Sequence, residues 1–264
     1  MITYLEKSNI FPQGMANVSV PTVNVVNIVV TRFFVTTFRM GQFKDCNFDE
    51  YKYLKYRCEL FMKVCYPSIV AQLALHDKWY LLVSEPYVSF VKEELGNIDD
   101  RVIIGDFSKA NIVKEINCCL ENNKLPCVTR IDNDDTLSLE YLPLLKRVSK
   151  KLSEKFDYAF VVFPCGLQFN LSTNDCYWMM YNVSHTCSIF YNKHLSDNTS
   201  LWLYNFDHTK IFESNINVFI NNTSLPMWSE NITDTNQANR QRENLVKVSL
   251  ESDILKKLFP SLFS

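Results

Sequence analysis

The sequence has no excess of basic residues. Its 27 lysines and arginines are outnumbered by 29 aspartates and glutamates, and the formal net charge is −2. Proteins that bind nucleic acid usually have an excess of basic residues and a positive surface potential. The composition therefore predicts no nucleic acid among the partners, and any anionic ligand must be bound by local groups.

Long apolar runs and paired cysteine motifs are also missing. No segment approaches the roughly 18 apolar residues of a membrane span, and no charged region followed by an apolar stretch marks a secretory signal. The nine cysteines show neither CxxC pairs nor zinc spacing, and Cys58, Cys65, Cys127 and Cys165 lie in apolar runs. We therefore expect reduced thiols, no transmembrane segment and a cytoplasmic location.

The chain is rich enough in apolar residues to bury a full core. Hydrophobic residues make up 47% and aromatic residues 14% of its 264 positions. We predict an N-terminal arm at residues 1–22 and a single domain at 23–230, followed by a tail with a short helix at 231–264. The domain is expected to consist of a ligand-binding half, 23–137, and a second half, 138–230.

Strands and helices alternate in the first half. The predicted strands are Val23–Phe33, Trp79–Ser84, Val102–Ile104 and Leu125–Ile131. The predicted helices are Glu50–Cys65, Ser68–Leu75 after an interruption at Pro67, a stretch ending at Gly96, Ser108–Asn122, and Leu139–Lys155 capped by Ser138. Such alternation predicts an α/β fold with a mostly parallel, Rossmann-like sheet flanked by helices, and ligands bind beyond the carboxyl ends of the strands.

The pattern changes after the predicted strand Tyr158–Phe163. Short aromatic alternations follow, in CYWMMYNV, CSIFYNK and LWLYNFDH, and they predict a mixed or antiparallel, aromatic-rich second half. Residues Ser229–Glu243 are polar and are predicted to form a loop or tail. The final stretch, LVKVSLESDILKKLF, is predicted to fold back as a small helix.

An acidic cluster follows the fourth predicted strand. Asp132, Asn133, Asp134 and Asp135 are delivered to the sheet edge where ligands are expected, and hard divalent cations need such oxygen ligands. A solvated turn that caps the next helix is the simplest alternative. An EF-hand is excluded, because the positions that require Gly and Glu hold Leu137 and Pro143.

Two enzymatic interpretations of the cluster remain. The string DNDDTL fits the opening motif of haloacid-dehalogenase-type phosphatases, with Asp132 as nucleophile and Asp134 as acid/base, although it lies mid-chain. The preferred interpretation is a DxD motif, in which two carboxylates hold Mn²⁺ or Mg²⁺ and the diphosphate of a nucleotide sugar fills the other positions. A non-catalytic carbohydrate-binding protein is a third hypothesis.

Several ordered motifs resemble a known family. VVTRFF, YRCELFMKVCYPSIVAQ, WYLLVS, TRIDNDDTLS and PCGLQF together are similar to the rhamnosyltransferase family of GT-A-like glycosyltransferases, over roughly residues 23–230. The resemblance implies a GT-A-like fold, a nucleotide-sugar donor, a glycan acceptor, and transfer of a hexose such as L-rhamnose. It places Asp132 and Asp134 around the metal and nucleotide, with Asp135 as the alternative ligand.

Basic and polar residues near the predicted strand ends are candidates for donor binding. Thr31 and Arg32 end the first strand and are expected beside the nucleotide. Arg130 either faces the diphosphate or pairs with a neighbouring aspartate. Arg57 lies on an otherwise apolar helix face, where it either reaches the pocket or extends its head to solvent. Asn133 is also expected to bind the nucleotide.

The second half supplies candidates for acceptor chemistry. An inverting transfer needs a general base near the acceptor hydroxyl, and NFDHTKIFE offers Asp207, His208 and Glu213. His208 is alternatively a metal ligand, and a surface Asp-His pair is the alternative to both roles. Aromatic residues that either stack on sugar faces or belong to the core are Trp178, Tyr181, Trp202 and Trp228.

Overall fold

Two sheets and the helices around them form a mixed α/β fold. In the computed structural model, the described residues are 2–5, 24–36, 49–181, 186–196, 199–201, 203, 208–233, 242 and 245–263. Within them, eight strands form one large sheet and five form a small sheet. The predicted α/β class is confirmed.

The large sheet is mostly parallel. Its strand order is β1-β11-β7-β10-β5-β2-β3-β4. The strands are β1 (Ile2–Leu5), β2 (Asn24–Phe34), β3 (Lys78–Val83), β4 (Val102–Gly105), β5 (Lys124–Arg130), β7 (Tyr158–Val162), β10 (Cys187–Tyr191) and β11 (Val218–Asn221). Only β10 runs antiparallel to its neighbours among these described strands. The carboxyl ends of β2, β5 and β7 therefore meet at one edge.

The small sheet has the order β13-β9-β8-β12-β6. Its strands are β6 (Thr136–Leu137), β8 (Cys165–Asn170), β9 (Asp175–Met180), β12 (Trp228–Ile232) and β13 (Val246–Lys247). The β8–β12 pair is parallel and the other pairs are antiparallel. This mixed sheet agrees with the change of pattern in the second half, although β7, β10 and β11 from that half join the large sheet.

Helices cover both faces of the large sheet. They are α1 (Glu50–Leu60), a π-helical turn (Phe61–Cys65), α2 (Tyr66–Val70), α3 (Val88–Leu95), α4 (Lys109–Glu121), α5 (Tyr141–Ser153), a 3₁₀ helix (His208–Glu213), α6 (Asp253–Leu258) and α7 (Pro260–Phe263). Alternate residues of β2 separate two cores, with Val29 and Phe33 on the α1 side and Ile28 and Val30 on the α4 side. None of the helices in the described part of the chain combines the length and apolarity that a bilayer crossing requires.

Local sequence signals explain several helix ends. Asp49 accepts a hydrogen bond from the Lys52 N–H at the start of α1, and Ser108 forms a capping box with Asn111 at the start of α4. Gly96 follows α3 with φ of 60°, a conformation that suits glycine. By contrast, Ser138 does not cap α5, since Glu140 holds that position without a side-chain bond.

Two predictions about chain segments were wrong. Pro67 does not interrupt the helix. A π-helical turn widens the backbone ahead of it, and the proline lies in the first turn of α2, where a residue without a backbone N–H is tolerated. Residues Ser229–Glu243 do not begin as a loop, because Trp228–Ile232 form the buried strand β12. Its polar residues Ser229 and Asn231 have no exposed surface.

Other segments differ from expectation in detail. Residues 2–5, predicted as part of an arm, add strand β1 in parallel beside β11. Part of the predicted tail returns to the small sheet, where β13 pairs with β9 and α6 packs Leu255 and Leu258 against Leu167 and Phe169. The strand predicted around LWLYNFDH falls largely outside the described residues.

Candidate functional site

The acidic cluster forms a turn between the two sheets. It begins two residues after β5 ends, and β6 of the small sheet starts at Thr136 directly after it. The turn is closed by a hydrogen bond from the Asp135 N–H to the Asp132 carbonyl, 3.2 Å. The acidic turn, residues 132–135, therefore lies at the carboxyl edge of the parallel strands, where ligands bind in open α/β sheets.

Arg57 of α1 holds the middle of the acidic turn. Its Nη1 donates to Asp134 Oδ2 at 3.1 Å, and its Nη2 lies 3.1 Å from Asp134 Oδ1. Nη2 also donates to Asn133 Oδ1, while Asn133 Nδ2 donates to the Phe33 carbonyl at the end of β2, 3.0 Å. The forked ion pair thus joins α1, β2 and the turn.

This ion pair is buried. Arg57 and Asp134 expose only 4% and 6% of their surfaces. Burial lowers the pKa of the Arg57 guanidinium, but the charge of Asp134 and its hydrogen bond raise that pKa by more, so the net shift is upward. Arg57 is therefore a permanent cation in the protein interior, and it does not reach solvent as a surface arginine would.

Asp135 is bound from the small sheet. Its Oδ1 accepts the Asn231 N–H of β12 at 3.0 Å, and Asn231 Nδ2 donates to the Asp134 carbonyl at 2.6 Å and to Thr136 Oγ1 at 3.3 Å. Asp135 and Asn231 are both fully buried. Asn231 was missed at the sequence level because it lies in the polar stretch predicted to be a loop.

The π-helical turn and α2, which follow α1 in the chain, contact the acidic turn and β6. The Cys65 thiol lies 3.7 Å from the Asp132 carbonyl, and Ser68 Oγ accepts the Leu137 N–H at 3.3 Å. Burial, followed by the charges of the three aspartates, raises the pKa of the Cys65 thiol well above its ordinary 9.0. Cys65 therefore stays protonated and acts as a packing group and weak donor.

Asp132 is the least buried of the three aspartates, and two arginines, Arg32 and Arg130, lie at the ends of the neighbouring strands β2 and β5. β2 and β5 pair in a register that sets Val30 beside Arg130, and the bond from the Ile131 N–H to the Val30 carbonyl continues it. Because strand side chains alternate between faces, Arg32 lies on the same face of β2 as Val30, and the register places Arg130 on that face too, the α4 side. Asp132 follows two residues after Arg130, in the turn beyond the strand.

The remaining candidates are more scattered. Thr31 is fully buried and its hydroxyl accepts a 3.0 Å bond from Trp79 Nε1, so its side chain belongs to the core on the α1 side. Glu213 is exposed at the end of the 3₁₀ helix. Asp207 and the side chain of His208 lie outside the described residues. Trp228 is fully buried and donates to the Phe163 carbonyl, which makes it a core residue.

A cavity of about 530 Å³ lies at the opposite edge of the sheet. It is lined at the amino ends of β2 to β5 by Asp77, Lys78, Arg101 and Glu115, among others. These charges are already paired, with Lys78 on Glu115 and Asp77 on Lys146. The carboxyl edge beside the acidic turn, rather than this cavity, brings strand ends together with the arginines Arg32 and Arg130, which are suited to an anionic ligand.

Comparison with known proteins decides the family. A family model described as "Putative rhamnosyl transferase" matches residues 45–245. The chain belongs to this family. The match spans the acidic turn, Arg57 and Asn231. No curated protein matches the chain.

Three solved structures are distantly similar. The 4-diphosphocytidyl-2C-methyl-D-erythritol synthase of Anaerococcus prevotii is 10% identical, with 75% of this chain and 87% of that chain covered and a TM-score of 0.35. The inositol-1-phosphate CTP transferase of T. maritima is 14% identical, with 78% of this chain and 89% of that chain covered and a TM-score of 0.34. HddC of Yersinia pseudotuberculosis is 12% identical, with 75% of this chain and 91% of that chain covered and a TM-score of 0.31. At these scores the likeness supports no conclusion about activity.

Proposed function

We propose that the protein is a GT-A-like glycosyltransferase that moves a sugar, L-rhamnose, from a nucleoside diphosphate to a saccharide acceptor. The family assignment supports sugar transfer. The structural feature that supports the proposal is the carboxyl edge of β2 and β5, where the register sets Val30 beside Arg130 and where Arg32 and the partly exposed Asp132 each follow two residues further on. Guanidinium groups match phosphate oxygens in charge and geometry, so this edge suits a diphosphate.

We include metal dependence in this proposal, although the protein supplies few groups that could bind the cation. The described residues contain no group of three His, Cys, Asp or Glu side chains that would hold a metal. Asp134 and Asp135 are engaged by Arg57 and Asn231. Mg²⁺ and Mn²⁺ nevertheless bind through one or two carboxylates together with substrate phosphates, and Asp132 fits that role. When bound, the cation would neutralise charge on the departing diphosphate.

The buried part of the turn has a supporting role in this scheme. Arg57, Asn133 and Asn231 fix the backbone of the acidic turn from two sides. Sites held by well-packed neighbours keep their reacting groups in position. Asp132 would thus be presented to the donor by a rigid turn, while Arg32 and Arg130 bind the phosphate oxygens.

The environment of Asp134 argues against the phosphohydrolase hypothesis. In that mechanism Asp134 transfers protons to and from the leaving group and solvent. Here both of its carboxylate oxygens are bound by Arg57 and it is almost fully buried. A permanently paired carboxylate is a poor acid/base, so the ion pair favours the transferase.

A thermal-shift experiment tests the proposal. Wild type and Asp132→Asn are melted with UDP, TDP and their sugars, with Mn²⁺ or with EDTA. A ligand at 100 times its Kd stabilises by about 2.7 kcal/mol, which for a chain of this size raises Tm by on the order of 5 °C. We expect this shift for at least one nucleotide in wild type and its loss in Asp132→Asn.

The matched control is Asp100→Asn, an exposed aspartate beside the cavity at the opposite edge, which should keep the full shift. Failure of every nucleotide to raise the wild-type Tm would refute the nucleotide site. A shift that persists unchanged in EDTA would refute metal dependence alone. Binding of glycans without binding of any nucleotide would favour the carbohydrate-binding hypothesis.

A further inference from the structure

A polar cluster on the small sheet has none of the roles assigned so far. It consists of Gln168 on β8, Glu230 on β12, Tyr181 after β9, and Arg242. Gln168 Nε2 donates to Glu230 Oε2 at 3.2 Å, and Arg242 Nε lies 3.7 Å from the same oxygen. The Arg242 guanidinium also lies over the Tyr181 ring, 4.4 Å from its centroid.

We propose that this cluster binds the saccharide acceptor and that Glu230 accepts the proton of the attacking hydroxyl group. The inference rests on the proposed transferase function and assigns it an acceptor site. It adds a base to the three candidates that the sequence offered, and it depends on residues in a segment predicted to be a loop.

Register places Glu230 beside the acidic turn. β12 and β6 pair with Trp228 opposite Leu137 and Ser229 opposite Thr136, so the next position sets Glu230 opposite Asp135. The bond from the Asn231 N–H to Asp135 Oδ1 holds the strands together at that point. Directly opposed residues in antiparallel strands have Cα atoms about 4.5 to 5.5 Å apart. The donor edge and the cluster are therefore neighbours.

Tyr181 lies at the same sheet edge. Its N–H donates to the Pro164 carbonyl at 2.7 Å, two residues after β7 ends. Because β7 is parallel to β11 and antiparallel to β10, which in turn is antiparallel to β5, the carboxyl ends of β7 and β5 face the same way. An acceptor on Tyr181 would approach the donor from the small-sheet side.

The composition of the cluster suits a sugar. An aromatic face packs against the apolar face of a pyranose, and a few fixed polar groups beside it set orientation and specificity. Arg242 occupies the Tyr181 face and is 40% exposed in its side chain, whereas the Glu230 side chain is 5% exposed. A sugar that replaces Arg242 on Tyr181 would gain access to Glu230, with Gln168 keeping the carboxylate in place.

The proposed step is a direct displacement. A bond forms between the acceptor hydroxyl oxygen and the anomeric carbon of the donor. The bond from that carbon to the phosphate oxygen breaks, and its electron pair leaves with the nucleoside diphosphate. The hydroxyl proton passes to Glu230 and later to solvent. A single displacement of this kind inverts the anomeric configuration.

Glu121 is a suitable control for Glu230. It is exposed at the carboxyl end of α4, which packs on the large sheet through Ile112, Val113 and Ile116. Glu121→Gln removes the same charge as Glu230→Gln without touching the cluster.

The first experiment measures acceptor binding. The wild type, Glu230→Gln, Tyr181→Ala and Glu121→Gln are applied to a glycan array with the nucleotide that raises Tm. We expect wild type and Glu121→Gln to bind the same glycans, and Tyr181→Ala to lose at least tenfold in signal. Absence of glycan binding by wild type, or equal binding by Tyr181→Ala, would overturn the acceptor site.

The second experiment measures chemistry on the glycan found by the array. General-base catalysis contributes about 10² to 10⁴-fold, so Glu230→Gln should lower kcat at least 100-fold. The nucleotide thermal shift should stay unchanged in this variant, which separates the inference from the donor site and checks folding. Wild-type kcat in Glu230→Gln, or retention of anomeric configuration in the product, would overturn the assignment.

Discussion

Arg57 shows how one side chain sets the local order of the acidic turn. It carries its charge into the interior, where a lone cation would cost several kcal/mol, and the carboxylate of Asp134 and the amide of Asn133 satisfy it. Neither partner is then available to solvent. This arrangement leaves Asp132 as the carboxylate of the turn with accessible surface.

The buried ion pair makes a strong prediction for stability. Arg57→Met strands Asp134 as an uncompensated buried charge, which typically costs about 3 to 5 kcal/mol. Urea denaturation followed by tryptophan fluorescence should show a loss of this size. Arg147→Met, on the exposed face of α5, is the control and should change stability by less than about 0.5 kcal/mol.

A second variant separates the charge from the packing. Arg57→Met with Asp134→Leu replaces both partners by apolar groups, which is often neutral for a buried pair, so the double variant should regain part of the lost stability. If the double variant is no more stable than Arg57→Met, packing rather than the unpaired charge explains the loss.

At the scale of elements, β8 and β12 are joined by an unusually close contact. A Cβ atom built on Gly166 would lie 2.5 Å from the indole ring of Trp228. That ring is fully buried and its Nε1 is bound to the Phe163 carbonyl at 2.7 Å. The glycine is therefore required by the approach of the ring.

Gly166→Ala should destabilise the protein by about 1 to 3 kcal/mol, the usual cost of overpacking a core. Gly105→Ala is the matched control, since its Cβ would meet the half-buried ring of Phe107 at 2.9 Å, and that ring has room to turn away. Thermal denaturation of both variants gives the comparison. An equal or larger loss in Gly105→Ala would contradict this account of Gly166.

Elements with a clear period or a cap were predictable from the sequence. The β-branched run of β2 was predicted as Val23–Phe33 and is observed at Asn24–Phe34, and the Ser108 cap of α4 was predicted directly. These signals are local, since they depend on neighbours within one or two turns. The position of the acidic turn at a strand end followed from the same logic.

β12 was not predictable from local signals. Its sequence, WSENI, alternates neither in charge nor in apolar character, and its buried polar groups are satisfied by residues far away in the chain, such as Asp135 and Gln168. Tertiary context overrides propensity in such strands. The contacts of Asn231 and Glu230 were therefore not predictable without the fold.

Across the whole molecule, buried thiols make stability depend on alkaline pH. Burial is the main cause that raises the pKa of these thiols above their ordinary 9.0. The pKa is raised to about 11 at Cys119 and Cys187 and to about 12 at Cys58, Cys127, Cys165 and Cys176. The unfolded chain therefore loses these protons at lower pH than the folded protein does.

Because the folded state binds more protons above pH 9, the free energy of unfolding should fall as pH rises from about 9 toward 11 or 12. Melting curves between pH 7 and 11 should show a constant Tm up to about pH 9 and a progressive decrease beyond it. A thiol reagent at pH 8 provides the control, since exposed Cys118 should react in the native protein and the buried thiols only in urea. A Tm that stays constant to pH 11 would contradict the prediction.

The pairing of β6 with β12 sets a condition on how the protein is made. Asn231 follows Asp135 by 96 positions, so the ribosome completes the acidic turn long before the strand that holds it. Contacts this distant in sequence form late, because the intervening chain must first be closed into a loop. A growing chain would thus lack the final shape of the acidic turn until synthesis had passed β12.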